Sequence, residues 1–266
     1  HDGKITIRPR IAEGGPVELL VHSVNNFNGI VIDPAALPDD PAEFRARLDA
    51  SLAQWRADGR QVVWMEAPAS RAALIPPAVD AGFSFHHSQD GYLMMTLRLV
   101  EGALIPYYAT HYIGAGGVVV NSRREILVVC ERFRRGNRPY YKLPGGALHP
   151  GEHLVDGVIR EVREETGVEA EFESLACFRH WHGYRYGKSD IYFVCRLSPL
   201  SEEIRMDDYE IEDCRWMPVD EYMESEYVGL FNRRIVRAAL ENPGIPSVWV
   251  DGYSDPTTHE FFFPHE

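Results

Sequence analysis

The chain has 266 residues, a formal net charge of −13 at pH 7 and a hydrophobic content of 45%. This length and composition predict one large or two modest domains, and the negative charge disfavours a general nucleic-acid binder because a phosphate backbone would be repelled. No apolar run approaches the length of a membrane span and the four cysteines form no CxxC pair, so we expect a cytoplasmic protein with reduced thiols.

The first hundred residues alternate between strand and helix patterns. Runs rich in β-branched residues between Gly, Pro and Asn predict strands over residues 4–9, 18–24, 29–34, 61–66 and 92–99. Asp40 and Pro41 open a helix that Gly59 ends. Its apolar face at helical spacing is Phe44, Leu48, Leu52 and Trp55. Residues 70–83 predict a second helix, interrupted by Pro76–Pro77.

The turn-forming run VEGALIP, residues 100–106, separates the two halves of the chain, and we place domains at 1–103 and 104–266. Further strand patterns cover residues 112–120, 125–133, 172–183, 189–197, 210–218, 247–253 and 260–264. A helix is expected over 231–240. A mixed sheet with helices predicts an α/β or α+β fold.

The stretch GGALHPGEHLVDGVIREVREETGV, residues 145–168, joins a glycine and proline turn to an acidic helix. On a helical wheel Glu161, Glu164 and Glu165 share one face, where they repel one another unless a cation lies among them. Oxygen donors so clustered suit Mg²⁺ or Mn²⁺, and the alternative is a solvated acidic face held by salt bridges. Gly157, one turn before Glu161, leaves room for a phosphate.

The spacing within this stretch resembles the Nudix box at every defined position. Gly146 is followed after five residues by Glu152, and after seven more by REVREETGV, residues 160–168. The second half of the chain is therefore similar to the Nudix hydrolase superfamily. That resemblance implies an α/β/α sandwich with a loop–helix–loop and a Mg²⁺- or Mn²⁺-dependent hydrolysis of a nucleoside diphosphate linked to another moiety.

The resemblance also implies roles for the residues of the box. Glu164 and Glu165 are implied as the main metal ligands and Glu161 as a third ligand or proton acceptor, with the carbonyl of Gly145 completing the shell. The residues implied to orient the loop and the carboxylates are Arg160, Glu152 and Gly146. Divalent ions neutralise the charge of a pyrophosphate, and a nearby carboxylate accepts the proton of the attacking water.

Many members of the superfamily use one more glutamate, in a later loop shortly before a tryptophan. Glu210 and Glu212 precede Trp216 by six and four residues here. We favour Glu210 as a ligand or base, with Glu212 as the next candidate. A solvated acidic loop is the alternative, because aspartates surround both.

The resemblance extends beyond the box. Residues 51–68, 78–87 and 92–99 resemble a pre-Nudix domain, and residues 187–201 and 210–222 resemble its matching Nudix half. The chain is thus similar, over about residues 15–225, to a two-domain group that includes plant ADP-ribose/NADH pyrophosphatases and the vertebrate fibroblast-growth-factor-antisense Nudix protein. The first domain of that group is acetyltransferase-like. No R/QxxGxG/A loop occurs here, so we expect no acetyl transfer and a role in homodimerisation or in covering the active site.

His86 and His87 form an adjacent histidine pair in the first half of the chain. Adjacent residues on a strand point to opposite faces. We therefore expect structural roles for them and not a metal site.

Basic and aromatic side chains are the candidate substrate contacts. Arg132 belongs to a basic cluster that attracts an anionic substrate or forms a solvated turn, together with Arg134, Arg135 and Arg138. Lys188 is a candidate phosphate ligand and Tyr186 a candidate base-stacking residue, in what is otherwise an ordinary hairpin loop. Trp181 is a candidate for stacking, although the alternation of a half-buried strand explains it equally well.

The leading hypothesis is a divalent-metal-dependent pyrophosphohydrolase that acts on ADP-ribose or NADH and releases AMP, with no membrane and no nucleic-acid partner. A second hypothesis is a nucleotide-sensing module that keeps the fold without turnover. A third is a nucleoside triphosphate or RNA-cap hydrolase. Product identity separates the first from the third, because a triphosphate releases pyrophosphate.

Overall fold

The computed structural model describes residues 17–134, 136–253 and 255–264. The chain divides into two compact units, one ending at Ala109 and the other starting at Thr110. The strand predicted over residues 4–9 and the side chain of Arg135 lie outside the described residues. Within the described ranges, no helix has both the length and the apolar character needed to cross a bilayer.

The first unit, over residues 17–109, has one five-stranded sheet with two α-helices. Its elements are β1 (His22–Val24), β2 (Ile30–Ile32), α1 (Pro41–Ala57), β3 (Val62–Pro68), α2 (Ile75–Asp80), β4 (Ser84–Gln89) and β5 (Tyr92–Arg98), with 3₁₀ turns at Pro34–Ala36 and Ala69–Leu74. The strand order is β1-β2-β3-β5-β4, parallel only between β2 and β3. The predicted face of α1 packs into the core of this unit, against Met65 and Met95 among others.

Two expectations about the first unit are wrong. Pro76 and Pro77 lie in the first turn of α2, where the missing N–H groups have no intrahelical partner, so they open the helix and do not interrupt it. His86 and His87 do not face apart, because a bulge in the β4–β5 pairing lies between Phe85 and His87. Their Nδ1 atoms are 2.7 Å apart.

The second unit contains three sheets within its described residues. Its elements are β6 (His111–Val119), β7 (Glu125–Glu131), β8 (Tyr141–Lys142), β9 (Gly145–Ala147), α3 (Leu154–Thr166), β10 (Ala170–Trp181), a 3₁₀ turn at Arg185–Gly187, β11 (Ser189–Pro199), β12 (Ile211–Pro218), α4 (Val219–Glu224), α5 (Leu230–Glu241), β13 (Ser247–Val248) and β14 (Phe261–Phe262). The strand orders are β10-β11-β6-β9, β12-β7-β8 and β13-β14. Strands β6 and β11 are parallel, and the other pairs are antiparallel.

Two apolar cores lie on opposite faces of these sheets. Because side chains alternate between the two faces along β6, Val118 packs in the core beneath α5, whereas Ala115 and Val119 pack in the core beneath α3. Gly117 lets α3 approach closely, because a Cβ there would lie 2.9 Å from a methyl group of Val162. Helices therefore cover both faces, and the mixed α/β class predicted from the sequence is confirmed.

Helix α1 supplies a test of local sequence reasoning. The carboxylate of Asp40 accepts the backbone N–H of Glu43 at 2.7 Å, so Asp40→Ala is expected to lower the free energy of unfolding by about 1 kcal/mol. Urea denaturation measures this loss. The control is Asp49→Ala, which removes an exposed ion pair with Arg45 and is expected to cost only a few tenths of a kcal/mol. Equal losses from the two variants would contradict the cap.

Candidate active site

The segment of residues 145–152, which begins with β9 and which we call the glycine loop, fixes the position of two of the predicted glutamates. Gly145 has φ of 149°, and a Cβ there would lie 2.2 Å from the carbonyl oxygen of Ala115, so only glycine fits. Its N–H donates to Oε2 of Glu165 at 2.8 Å. A Cβ on Gly146 would lie 2.5 Å from Oε2 of Glu161. The carboxylates of both glutamates thus rest against the loop.

Arg160 joins the loop to the acidic face of α3. Its guanidinium donates to both carboxylate oxygens of Glu152, at 2.7 and 2.9 Å. Nη1 also donates to Glu161 and to Glu164, each at 2.9 Å, and Nη2 donates to the carbonyl of Ala147 at 3.2 Å. The hydrogen bond from Arg160, despite partial burial, lowers the pKa of Glu152 to about 2. The guanidinium of Arg160 therefore pairs with three carboxylates and also holds the loop.

The space beside Gly157 is filled, which corrects the expectation of room for a phosphate. A Cβ on Gly157 would lie 3.0 Å from Oε2 of Glu152 and 3.2 Å from Leu148. Glu152 folds back onto this turn of the helix because it pairs with Arg160. The absence of a side chain at Gly157 thus leaves space for the carboxylate of Glu152, which pairs with Arg160.

Glu165 differs from the other two glutamates in being buried. Burial raises its pKa to about 7, although Lys142 and the N–H of Gly145 act in the opposite direction. Nζ of Lys142 lies 3.7 Å from Oε1 of Glu165 and 2.6 Å from Oε1 of Glu131. The sequence analysis did not predict Lys142 and Glu131. The antiparallel pairing of β7 with β8 places Lys142 opposite Val129, two residues before Glu131, and no local sequence pattern indicates this contact.

The donor atoms of this site fit a hard divalent cation. Glu161, Glu164, Glu165 and the carbonyl of Gly145 offer only oxygen, which Mg²⁺ and Mn²⁺ prefer. Two of these carboxylates are held by Arg160 and the third faces Lys142. In the described residues no three His, Cys, Asp or Glu side chains already converge on one point. Arg160 and Lys142 thus balance part of the negative charge of these carboxylates.

The two later glutamates occupy different environments. The side chain of Glu210 is exposed, just before β12, while its carbonyl accepts the N–H of Arg132 at 2.8 Å. Glu212 forms an ion pair with Arg134. The loop before them runs along the end of α3, since the N–H of Asp207 donates to the carbonyl of Glu165 at 3.3 Å. Glu210 thus has the less constrained carboxylate.

The predicted substrate residues do not form one group. Arg132, at the end of β7, donates to the carbonyls of Asp208 and Ile211 at 3.2 and 3.3 Å. Tyr186 and Lys188 lie on the loop between β10 and β11, which belong to the four-stranded sheet, whereas β7 belongs to the three-stranded sheet. The side chain of Tyr186 is 89% exposed, and Nζ of Lys188 lies 5.4 Å from the ring centre of Tyr112. Of the remaining basic cluster, Arg134 and Arg138 are held in ion pairs.

An aromatic set around Arg179 was not predicted as a group, although Trp181 was singled out. The guanidinium of Arg179 lies over the rings of Trp181, Tyr192 and Phe231, at 5.4, 5.4 and 5.5 Å, and forms an ion pair with Asp190. The register of β10 on β11 pairs Arg179 with Tyr192 directly. The Tyr192 hydroxyl reaches the glycine loop, because a Cβ on Gly145 would lie 2.8 Å from it. This set therefore adjoins the loop that holds Glu165.

Comparison with known proteins identifies the family. A model described as the NUDIX domain matches residues 110–239, and one described as a Nudix hydrolase domain matches residues 20–99. Nudix hydrolase 2 of Arabidopsis thaliana is 40% identical over 211 residues, which are 79% of this chain and 76% of that protein. The chain belongs to the Nudix hydrolase family. The resemblance read from the box is thereby confirmed.

Other relatives differ in how much of their length this Nudix chain spans. Nudix hydrolase 8 of Arabidopsis thaliana is 38% identical over 77% of this chain, which corresponds to only 56% of that protein. The human protein named Nucleoside diphosphate-linked moiety X motif 6 is 37% identical over 82% of this chain and 71% of its own length. A NUDIX hydrolase structure from Nitrosomonas europaea covers 53% of this chain and 98% of its own, with 23% identity and a TM-score of 0.45.

The raised pKa of Glu165 predicts a pH dependence of stability. The folded protein binds a proton at Glu165 more tightly than the unfolded chain does, so metal-free stability is expected to fall as pH rises from about 4.5 through about 7 and to level off above that. The predicted loss is on the order of 1–3 kcal/mol. Urea denaturation in EDTA at several pH values measures it. Glu165→Gln is the control, and identical pH slopes in wild type and variant would contradict the prediction.

Proposed function

We propose that this Nudix chain is a Mg²⁺- or Mn²⁺-dependent pyrophosphohydrolase. It cleaves the diphosphate bond of a nucleoside diphosphate linked to another moiety, namely ADP-ribose or NADH, and releases AMP. The observation that carries the proposal is the set of carboxylates on α3, which Arg160 and the glycine loop hold on one side of the helix.

Each residue of the site has a part in this proposal. Glu161, Glu164 and Glu165, with the carbonyl of Gly145, would hold the cation, which supplies charge neutralisation and a more acidic water. Arg160 and Glu152 orient these carboxylates, and Gly146 keeps the loop close to Glu161. Glu210 accepts a proton or contributes a ligand, because its carboxylate is exposed while that of Glu212 is paired.

The substrate class is supported by side chains near the loop and by a relative. Trp181 and Phe231 are each more than 40% exposed, so their rings are available to stack on a base beside Arg179. Lys188 and Arg132 are proposed phosphate contacts and Tyr186 a second stacking residue. The human relative is named for a nucleoside diphosphate-linked moiety. The substrate is accordingly a small molecule.

The first unit is proposed to be a pre-Nudix domain, acetyltransferase-like. The domain boundary proposed from the sequence, 103/104, precedes the end of the compact unit at Ala109. This unit is proposed to support homodimerisation. Its sheet order, β1-β2-β3-β5-β4 with one parallel pair, is that of a mixed α/β domain. We propose no acetyl transfer, because the phosphate-binding loop that such chemistry uses does not occur in the sequence.

A second candidate is a nucleotide-sensing module without turnover. Against it stand the three glutamates of α3, because a pure binder needs no complete set of metal-ligating carboxylates. Such a module would bind the nucleotide and release no product. Turnover therefore decides between the two.

The experiment that tests the function is a substrate panel with product identification by mass. The panel contains ADP-ribose, NADH, NAD⁺, FAD, coenzyme A, nucleoside triphosphates and capped RNA, each with Mg²⁺ or Mn²⁺. AMP from ADP-ribose or NADH is expected. Pyrophosphate from triphosphates, or a released cap nucleotide, would assign another Nudix chemistry. Micromolar binding of ADP-ribose without turnover would support the sensor.

Glu164→Gln separates a metal role from a structural one. The variant is expected to lose at least about 99% of kcat, since a metal ligand is removed. Its metal-free stability is expected to change by less than about 1 kcal/mol, because the ion pair with Arg160 is 55% exposed at Glu164. Steady-state kinetics and thermal denaturation in EDTA provide the two readings. A large loss of stability would mean that the carboxylate is structural.

The assignment of the later glutamate is tested by a matched pair. Glu210→Gln is expected to lower kcat at least about 100-fold, in the range of a lost general base. Glu212→Gln is expected to leave kcat within about threefold, because its side chain pairs with Arg134 and not with the loop of α3. The reverse result in the two kinetic assays would move the role to Glu212.

A further inference from the structure

Helix α3 begins without a cap from its own sequence. His153 occupies the N-cap position, but its side chain makes no capping hydrogen bond. Its Nε2 instead lies 2.9 Å from the carbonyl of Pro256. The first N–H groups of a helix have no intrahelical partner and need an acceptor from elsewhere.

That acceptor is Glu260, more than one hundred residues further along the chain. Its Oε2 accepts the N–H of Leu154 at 2.8 Å, and its Oε1 accepts the N–H of Val155 at 3.1 Å. Both oxygens of one carboxylate thus engage the first turn of α3. The negative charge also lies at the positive end of the helix dipole.

The segment that carries Glu260 is attached to the sheet beneath α3. We call residues 245–253 and 255–263 the tail strap. Ile245 exchanges two backbone hydrogen bonds with Leu175 of β10, each 2.8 Å. Strand β14, which directly follows Glu260, pairs with β13, and Phe262 packs on Phe172 at a ring distance of 5.8 Å. The strap is therefore anchored to β10 and to the core beneath α3.

Glu260 and His153 connect the strap to the start of the helix. Glu260 accepts two N–H groups of the first turn, and His153 lies against the carbonyl of Pro256. A cavity of about 570 Å³ lies beside this contact, lined by Asp156, Trp249 and Phe261 among others. The strap also lies beyond residue 239, where the match to the NUDIX domain model ends.

We infer that Glu260 is a positioning residue for the carboxylates of α3. The inference rests on the proposed function, because it concerns the same glutamates. Glu152 lies two residues before the turn that Glu260 caps, and Arg160 lies six residues after Leu154. Fraying of that turn frees Glu152 from Arg160, and the guanidinium then no longer holds Glu161 and Glu164 in place.

The test uses the full chain and three variants. Glu260→Ala removes both acceptors, Glu260→Gln keeps one oxygen acceptor without the charge, and Asp251→Ala is the matched control. Asp251 is an exposed acidic residue of the same strap, with no described contact to α3. The readings are amide hydrogen exchange at Leu154 and Val155, Mn²⁺ binding by electron paramagnetic resonance, and kcat and KM on the substrate found by the panel.

Glu260→Ala is expected to speed amide exchange in the first turn of α3 and to raise the Mn²⁺ concentration for half-saturation about tenfold. It is expected to lower kcat about tenfold, with KM changed less than about twofold, because the carboxylates and not the base-binding residues are displaced. Glu260→Gln should recover part of each effect. Asp251→Ala should behave as wild type.

Wild-type exchange at both amides and wild-type Mn²⁺ binding in Glu260→Ala would overturn the inference. Equal defects in Asp251→Ala would overturn it as well, since charge loss anywhere in the strap would then suffice. If Glu260→Ala does not fold, Glu260→Gln decides the same questions with smaller changes. A wild-type protein that binds no Mn²⁺ overturns the proposed function, while amide exchange still reports whether Glu260 holds the helix.

Discussion

The guanidinium of Arg160 is the interaction on which the site depends. Four glutamates lie within fourteen residues of the box, and without a cation their mutual repulsion would oppose the helix that carries three of them. Arg160 pairs with Glu152, Glu161 and Glu164 together and also holds the loop through the carbonyl of Ala147. The planar, multiply donating group is required for this, because an ammonium cannot reach four acceptors with one fixed geometry.

Glu165 stands apart from that network, and its separation divides the site into two environments. Glu164 is in contact with water, whereas Glu165 is buried against Gly145 and near Lys142. A buried carboxylate close to another negative charge holds its proton more tightly. The charge of a bound cation would favour the ionised form of Glu165 and so complete a set of anionic oxygens. In the proposed function, metal binding would then release a proton from Glu165.

The sequence was most informative where the determinant is local. The N-cap at Asp40, the apolar face of α1 and the spacing of the box all depend on residues within two or three helical turns, and periodicity reveals them. Features made by pairing between distant segments were not accessible. The bulge at His86 depends on the register of β5, and the contact of Lys142 with Glu131 depends on the pairing of β7 with β8.

The space beside Gly157 illustrates the same limit within the box itself. A helical wheel places Gly157 on the acidic face, but it does not show that Glu152, from the preceding loop, folds back over that position. Side-chain direction in a loop depends on its partner, here Arg160, and the partner becomes evident only in three dimensions. The fold class was therefore predictable, whereas the position of the Glu152 side chain beside Gly157 was not.

The capping of α3 by Glu260 also bears on how the chain folds during synthesis. The helix leaves the ribosome more than one hundred residues before its cap does, so its first turn forms early without an acceptor for two N–H groups. Bringing Glu260 to Leu154 closes a long stretch of chain, which is entropically unfavourable. The contact also raises the average sequence separation between contacting residues in the second unit, and such separation slows folding. The first turn of α3 is thus capped only after translation has passed Glu260.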